Sequence, residues 1–291
     1  MFRVAVLLAL VSVLWLAGPD AWAALAADDE RAAAAHDPVV ELDRVGFRRR
    51  PDWLNDELLI AVMEDLAPRL QGEMGLLDEA AARELKQRLE SSPWVDRVIL
   101  RRVFPDRLGV DVELRRPVIE VHGTSGSLSV LADARGRCLP PVVDAGLPRT
   151  VIRDSGVSPA SDLVGQPHPD PRVTAAASVA REWRDELLPL VTGAPTLVEV
   201  DAGNLNYRLF GDGRWSEVLV GVSGADGQPV YLAYGHPPGA SAPRVPTRTK
   251  AEILTGMMEE FPGLHGIARG DLRFANRWRD WLQPRAAMGE R

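Results

Sequence analysis

The apolar residues that follow Asn55 change their spacing from a helical period to a period of two, and this change restricts the possible folds. Two segments have the helical period, one after a candidate N-cap at Asn55 and one after a candidate N-cap at Asp78. Residues 108–114 then alternate apolar and polar side chains, which is typical of a half-buried strand. The preceding strand, Val95–Val103, has Arg97 and Arg101 on its polar side. A further strand is expected at residues 39–47. The order strand, helix, helix, strand, strand predicts an α+β fold.

The last two of these strands are expected to form a hairpin with a charged outer face. Residues 105–106 are Pro-Asp and predict the turn, because proline presets φ for the first central position of a type I turn. Arg97 and Arg101 on the first strand are expected to pair with Asp111 and Glu113 on the second. Each pair contributes up to about 1 kcal/mol, so these charges account for solubility without indicating a function.

Composition excludes several classes of protein. The 291 residues carry a net charge of −7. A nucleic-acid binder needs a basic face, so this charge argues against nucleic acid as a partner. With 46% hydrophobic and 26% charged residues the chain has enough apolar surface for ordinary folded domains. The single cysteine, Cys138, has no partner for an internal disulfide, so the fold must be stabilised by packing.

The N-terminus has the features of an export signal. An apolar run follows Arg3, and Gly18-Pro19 and small residues come after it. We predict that residues 1–27 are a signal peptide or an N-terminal membrane anchor. The continuous apolar run is shorter than the roughly 20 residues of a spanning helix, but a helix continued to Ala27 would be long enough. Residues 28–38 are polar and Ala-rich, and they are predicted to be a linker.

The stretch SSPWVDRVILRRVFPDRLGVDVELRRPVIEV resembles the POTRA domain of the bacterial cell-division proteins FtsQ/DivIB. The shared features are Pro-Trp-Val at residues 93–95, Phe-Pro-Asp at 104–106 and Arg-Arg-Pro-Val at 115–118. The resemblance implies a POTRA domain of β-α-α-β-β order at residues 39–122. Only three residues precede the apolar run, whereas the family usually has a basic cytoplasmic tail there.

The downstream segments follow the order of the same family. They are a hairpin at residues 129–140, an Ala-rich helix, four strands, a second helix and a closing strand. The first helix presents Ala176, Ala180, Trp183, Leu187 and Val191 on one face, and the second presents Leu254, Met257, Met258 and Phe261. The four strands are expected at residues 196–201, 207–210, 217–222 and 230–234. The resemblance implies a mixed, mainly antiparallel β-sheet domain with helices at residues 123–283, followed by a tail at 284–291.

Motifs for chemistry are missing from the sequence. The five histidines have neither the spacing of a helical zinc site nor a nearby cysteine. The Gly-rich segment GVSGADG lacks the lysine of a phosphate-binding loop, so it is predicted to be a hairpin turn. We therefore expect no catalytic residue, no metal ion and no cofactor.

The resemblance to FtsQ/DivIB implies a non-enzymatic scaffold in the cell envelope that recruits other division proteins. In that family the C-terminal sheet binds the small bitopic proteins FtsB (DivIC in some lineages) and FtsL, and the POTRA domain helps to localise the protein. The partner-binding residues implied at the closing strand are Asp271, Leu272, Arg273, Phe274, Trp278 and Trp281. The alternative for the two tryptophans is that they pack on the domain's own last helix.

The arginines of the predicted hairpin suggest a second contact surface. Arg101, Arg102, Arg115 and Arg116 are expected to meet acidic partner segments or anionic lipid headgroups. Two other functions stay open: a POTRA-bearing envelope protein of another assembly or secretion pathway, and an exported enzyme with an unrecognised site. In each case the bulk of the chain is expected in the periplasm or otherwise outside the cytoplasmic membrane, anchored or exported by its N-terminal segment.

Overall fold

Helices and sheets are both present in the computed structural model, so the predicted α+β class is confirmed. The structure describes residues 37–42, 50–103, 107–121, 129–142, 147, 149–150, 161–211 and 215–285. The chain divides into two compact units. Of the described residues, the first unit contains those up to Arg50 and those in Asp65–Glu90 and Arg97–Glu113. The second contains Pro51–Glu64, Ser91–Asp96 and the described residues from Leu114 onwards.

The first elements occur in the predicted order, with one additional short strand between the two helices. They are β1 (Val39–Glu41), α1 (Asp56–Leu66), β2 (Glu73–Gly75), α2 (Glu79–Glu90), β3 (Val95–Val103) and β4 (Arg107–Leu114). Both predicted N-caps are confirmed. The side-chain oxygen of Asn55 accepts the Leu58 N–H at 2.9 Å, and that of Asp78 accepts the N–H groups of Ala80 and Ala81 at 2.8 and 2.9 Å.

The strands of this region form two small sheets. β1 pairs antiparallel with β2, a three-residue strand between the helices that the sequence pattern does not reveal. β3 and β4 form the second sheet, in which the expected pair between Arg101 and Asp111 is confirmed at 3.1 Å. The predicted first strand extends to Glu41 among the described residues, while residues 43–49 and the predicted turn at 104–106 lie outside them.

The described residues from Pro117 onwards build a nine-stranded sheet. Its strands are β5 (Pro117–Val121), β6 (Val130–Asp133), β7 (Cys138–Leu139), β8 (Arg149–Thr150), β9 (Leu197–Asp201), β10 (Val218–Ser223), β11 (Pro229–Gly235), β12 (Ile267–Asp271) and β13 (Gln283–Pro284). The spatial order is β13-β12-β11-β10-β9-β8-β5-β6-β7. Five neighbouring pairs are antiparallel and three are parallel, which confirms a mixed, mainly antiparallel sheet.

Two helices pack on one face of this sheet. α3 (Pro171–Glu182) and α4 (Thr247–Glu260) share a core with the inward side chains of the strands. The predicted apolar stripe of α3 and the turns after it is fully buried, from Ala176 to Val191. Cys138 is a buried free thiol whose pKa is raised by burial, as expected of a small apolar core residue.

One predicted strand is wrong. Residues 207–210 do not extend, because the chain there turns around the buried side chain of Asn204. Its oxygen accepts the N–H groups of Leu209 and Phe210 at 3.0 and 2.9 Å, and its nitrogen donates to the Ser216 carbonyl at 3.1 Å. These bonds satisfy backbone groups that a strand would otherwise pair, and they hold the segment as a compact loop.

Candidate functional site

A groove of about 300 Å³ runs over the face of the sheet that is opposite to α3 and α4. Its floor comes from β10, β11 and β12, where Leu219 pairs with Ala233 and Tyr231 pairs with Arg269. Because side chains alternate along a strand, these four point to the face away from the helices. The tyrosine ring extends over β10, where Gly221 leaves room: a Cβ there would lie 3.3 Å from the ring.

Aromatic side chains line both sides of this groove. Trp215 stacks on Phe210 with ring centroids 4.6 Å apart, and Trp281 stacks on Phe274 at 5.6 Å. These side chains keep 38–47% of their surface exposed. Exposed apolar patches beside a groove often mark binding sites, and tryptophan is enriched among the few residues that dominate the binding energy of protein interfaces.

The observed closing strand, β12, ends at Asp271. Leu272, Arg273 and Phe274 therefore follow the strand. The side chain of Asp271 accepts the Arg273 N–H at 2.8 Å and turns the chain, as aspartates in such turns do. The Arg273 guanidinium then binds both carboxylate oxygens, with Nε at 3.0 and 3.1 Å. This fork directs the following Phe274 towards Trp281 and places Arg273 5.1 Å from the phenylalanine ring.

The structure separates the predicted partner-binding residues into an exposed and a buried set. Phe274 and Trp281 are exposed beside the groove, whereas Leu272 and Trp278 belong to the core. Trp278 packs on Gly256 of α4, so for this tryptophan the structure supports the packing alternative. Asp271 is also buried, in its fork with Arg273.

The four predicted docking arginines all have intramolecular partners. Arg101 pairs with Asp111, and Arg102 pairs with Glu79 at 2.9 Å and donates to the Leu76 carbonyl. Arg115 contacts Asp96 at 2.5 Å and Arg116 approaches Asp185 at 4.0 Å. Arg101 is the most exposed, at 63% of its side chain, and Arg115 is the least, at 14%.

The comparison with known families bears on the segment before the sheet domain. The model of the FtsQ-type POTRA domain matches residues 61–115. This part of the chain is a POTRA-type domain. No curated protein matches the chain. An FtsQ-type POTRA domain suggests an FtsQ-like scaffold and protein–protein contact.

Besides the aromatic pairs at the groove, the sheet domain contains a histidine–glutamate pair that the sequence pattern does not predict. His236 Nδ1 lies 2.9 Å from the buried carboxylate of Glu217, in a cavity of about 350 Å³. The nearby Ser178 hydroxyl donates to the Ala175 carbonyl at 2.7 Å, so it is engaged in its own helix. We assign this pair to the packing of the loop that carries His236.

In the described part of the chain, no group of three or more His, Cys, Asp or Glu side chains converges as metal ligands. Among the same residues no helix is both long and apolar enough to span a membrane, and the predicted signal or anchor at residues 1–27 lies outside them.

Proposed function

We propose that this protein is a non-enzymatic scaffold of the FtsQ/DivIB type, which recruits division proteins through its C-terminal sheet domain. The observation that carries the proposal is the groove between two exposed aromatic pairs, which adjoins β12 in a chain with an FtsQ-type POTRA domain. Its partners are bitopic proteins of the FtsB (DivIC) and FtsL type.

Partner capture combines two physical contributions. An extended segment of the partner adds a strand next to β12, where main-chain hydrogen bonds supply affinity. Phe274 and Trp281 then bury apolar partner side chains and act as anchors. Arg273 positions Phe274 through its fork with Asp271, while Leu272 and Trp278 hold the segment onto the core.

The POTRA-type domain is proposed to localise the protein through the docking arginines. Because Arg101 is the most exposed of the four, we expect Arg101→Glu to reduce the enrichment of the protein at the division site. Arg83 is an exposed arginine on α2, so Arg83→Glu is the charge-matched control. Fluorescence microscopy of a tagged chain measures the enrichment. Normal localisation of the Arg101 variant would exclude docking through this arginine.

The bulk of the chain is proposed to lie outside the cytoplasmic membrane, held or exported by residues 1–27. A fluorescent fusion that folds outside the cytoplasm tests both location and function in growing cells of the source organism. A band at the division site is the expected result. An even distribution around the envelope, together with normal division after depletion, would favour a POTRA-bearing protein of another envelope pathway.

A further inference from the structure

The edge of β12 is already occupied by the chain's own C-terminal segment. β13 pairs antiparallel with β12, with Arg269 opposite Gln283 and Ile267 opposite Pro284. One residue later, the Arg285 N–H donates to the Gly266 carbonyl at 2.9 Å. This contact shows both the direction and the register in which an extended segment fits this edge.

The side chain of Arg285 ends in a cluster of oxygen acceptors. Its Nη2 donates to the Ile267 carbonyl at 3.0 Å and lies 3.4 Å from the Pro229 carbonyl. Its Nε lies 3.2 Å from the Asp226 carboxylate. The Gln228 N–H, with a further contribution from Arg285, lowers the pKa of the Asp226 carboxyl, so this carboxylate stays charged at neutral pH. Two carbonyls and a carboxylate form a receptor for a cationic side chain at one end of the edge.

The backbone contact of this segment is small. β13 has two residues, both exposed, and the edge continues along β12 beyond Arg269. Pro284 has no N–H, so the outer side of β13 is a poor template for a further strand. An edge covered in this way is protected from unspecific pairing, yet a longer strand that makes more hydrogen bonds can displace the cover.

We propose that the β12 edge selects an antiparallel partner strand that has a basic residue directly after the residue that pairs with Ile267. β13 and Arg285 occupy the same position within the chain until this strand displaces them. The acceptor cluster of Asp226, Pro229 and Ile267 binds the basic side chain of the partner strand. The inference rests on the proposed function and adds to it a requirement on the partner's chemistry and a competing segment within the chain.

The test uses a labelled peptide with the chain's own sequence WLQPRAA, residues 281–287, and fluorescence anisotropy. In the full chain the tethered segment competes at a high effective concentration, so the peptide is expected to bind weakly. In full-length Arg285→Ala the tethered segment is held less tightly, and the peptide is expected to bind about tenfold more tightly or better. A peptide with alanine in place of the arginine should lose this gain.

Two controls make the result specific. Arg277→Ala removes an exposed arginine of the same region that pairs with Asp280, and it should behave as the unmodified chain. Arg285→Glu is a second opening variant, because a carboxylate facing Asp226 is repelled while every acceptor stays in place. Thermal melting of each variant verifies that the fold is retained.

The proposal is overturned if both peptides bind the Arg285 variants equally, or if neither binds them more tightly than the unmodified chain. This outcome is distinct from failure of the scaffold function. Arginine-dependent peptide binding without capture of FtsB- or FtsL-type segments would contradict the proposed function alone. If the chain captured those segments but bound the peptides with and without the arginine equally well, only the proposed role of the acceptor cluster would be contradicted.

Discussion

Replacing Trp278 by alanine is expected to lower the free energy of unfolding of the sheet domain by about 3–5 kcal/mol, the usual cost of deleting a buried aromatic side chain. The indole is 6% exposed and packs on Gly256 of α4, where an added Cβ would lie 3.4 Å from the ring. The Arg279 guanidinium covers it at 4.3 Å.

Trp281 is the matched control, because it lies three residues away in the same short helical turn, Trp278–Trp281. It is 38% exposed and lines the groove, so Trp281→Ala should change stability by no more than about 1 kcal/mol. If it is an anchor for the partner, the same substitution weakens capture about tenfold or more. Phe274→Ala should act in the same direction, since it removes the ring on which Trp281 stacks.

Two measurements separate these effects. Urea unfolding followed by circular dichroism gives the change in stability, and binding to immobilised extracytoplasmic segments of FtsB- and FtsL-type partners gives the change in capture. If Trp281→Ala lost as much stability as Trp278→Ala, Trp281 would belong to the core. Undiminished capture by the Trp281 variant would exclude the groove as the partner surface.

Lys250 is expected to make the stability of the sheet domain depend strongly on alkaline pH. The side chain is 1% exposed on α4, with Nζ 3.3 Å from the centroid of the Tyr234 ring and 3.9 Å from the Glu182 carboxylate. Burial lowers its pKa to about 8, while Glu182 opposes the shift, Arg244 adds to it and Glu186 opposes it weakly. Arg244 and Thr247 also bind Glu182, so the lysine shares its carboxylate with two other groups.

The sign follows from the protons bound in each state. Between pH 8 and the ordinary lysine value of 10.5 the unfolded chain binds more protons at Lys250 than the folded chain. The Lys250 contribution to the free energy of unfolding therefore rises with pH across this window, by about 3 kcal/mol in total. Tyr234 acts in the opposite direction above pH 10, because burial, reinforced by Glu182, raises the pKa of its hydroxyl.

Lys250→Met isolates this contribution, since methionine occupies a similar volume and does not titrate. We expect the stability of the unmodified chain, minus that of the variant, to increase from pH 8 to pH 10, as measured by urea unfolding at each pH. Lys86→Met, on the exposed face of α2, replaces the other lysine of the chain and is expected to follow the unmodified protein. A difference that stays constant with pH would mean that Lys250 is not buried as a titrating group.

Local patterns in the sequence were sufficient where neighbouring residues decide the structure. The caps Asn55 and Asp78 and the apolar stripe of α3 are confirmed, because capping and amphipathic spacing depend on residues within a few positions of each other. The hairpin turn before Gln228 is confirmed for the same reason, with the Gly224 N–H bonded to the Gln228 carbonyl. The POTRA-type domain was recognisable from motifs that lie close together in the chain.

The candidate site was predictable only in part. Residues 271–281 were identified by their resemblance to a family, but their pattern does not distinguish Trp278 in the core from Trp281 in the groove. Trp215 and Phe210 were missed, because residues 207–210 read as a strand until the side chain of Asn204 is seen to bind the backbone around it. Arg285 gave no signal, since its acceptors come from residues 18 to 59 positions earlier in the chain.

The sequence by itself determined the α+β class, the POTRA-type domain and the order of most of its helices and strands, since periodicity, capping and motif spacing are local properties of the chain. Only the tertiary structure decided which aromatic rings are exposed, which carboxylate each arginine binds, and that β13 covers the edge of β12. These features depend on strand order and register in a sheet whose paired residues are far apart in sequence, and no local pattern contains that information.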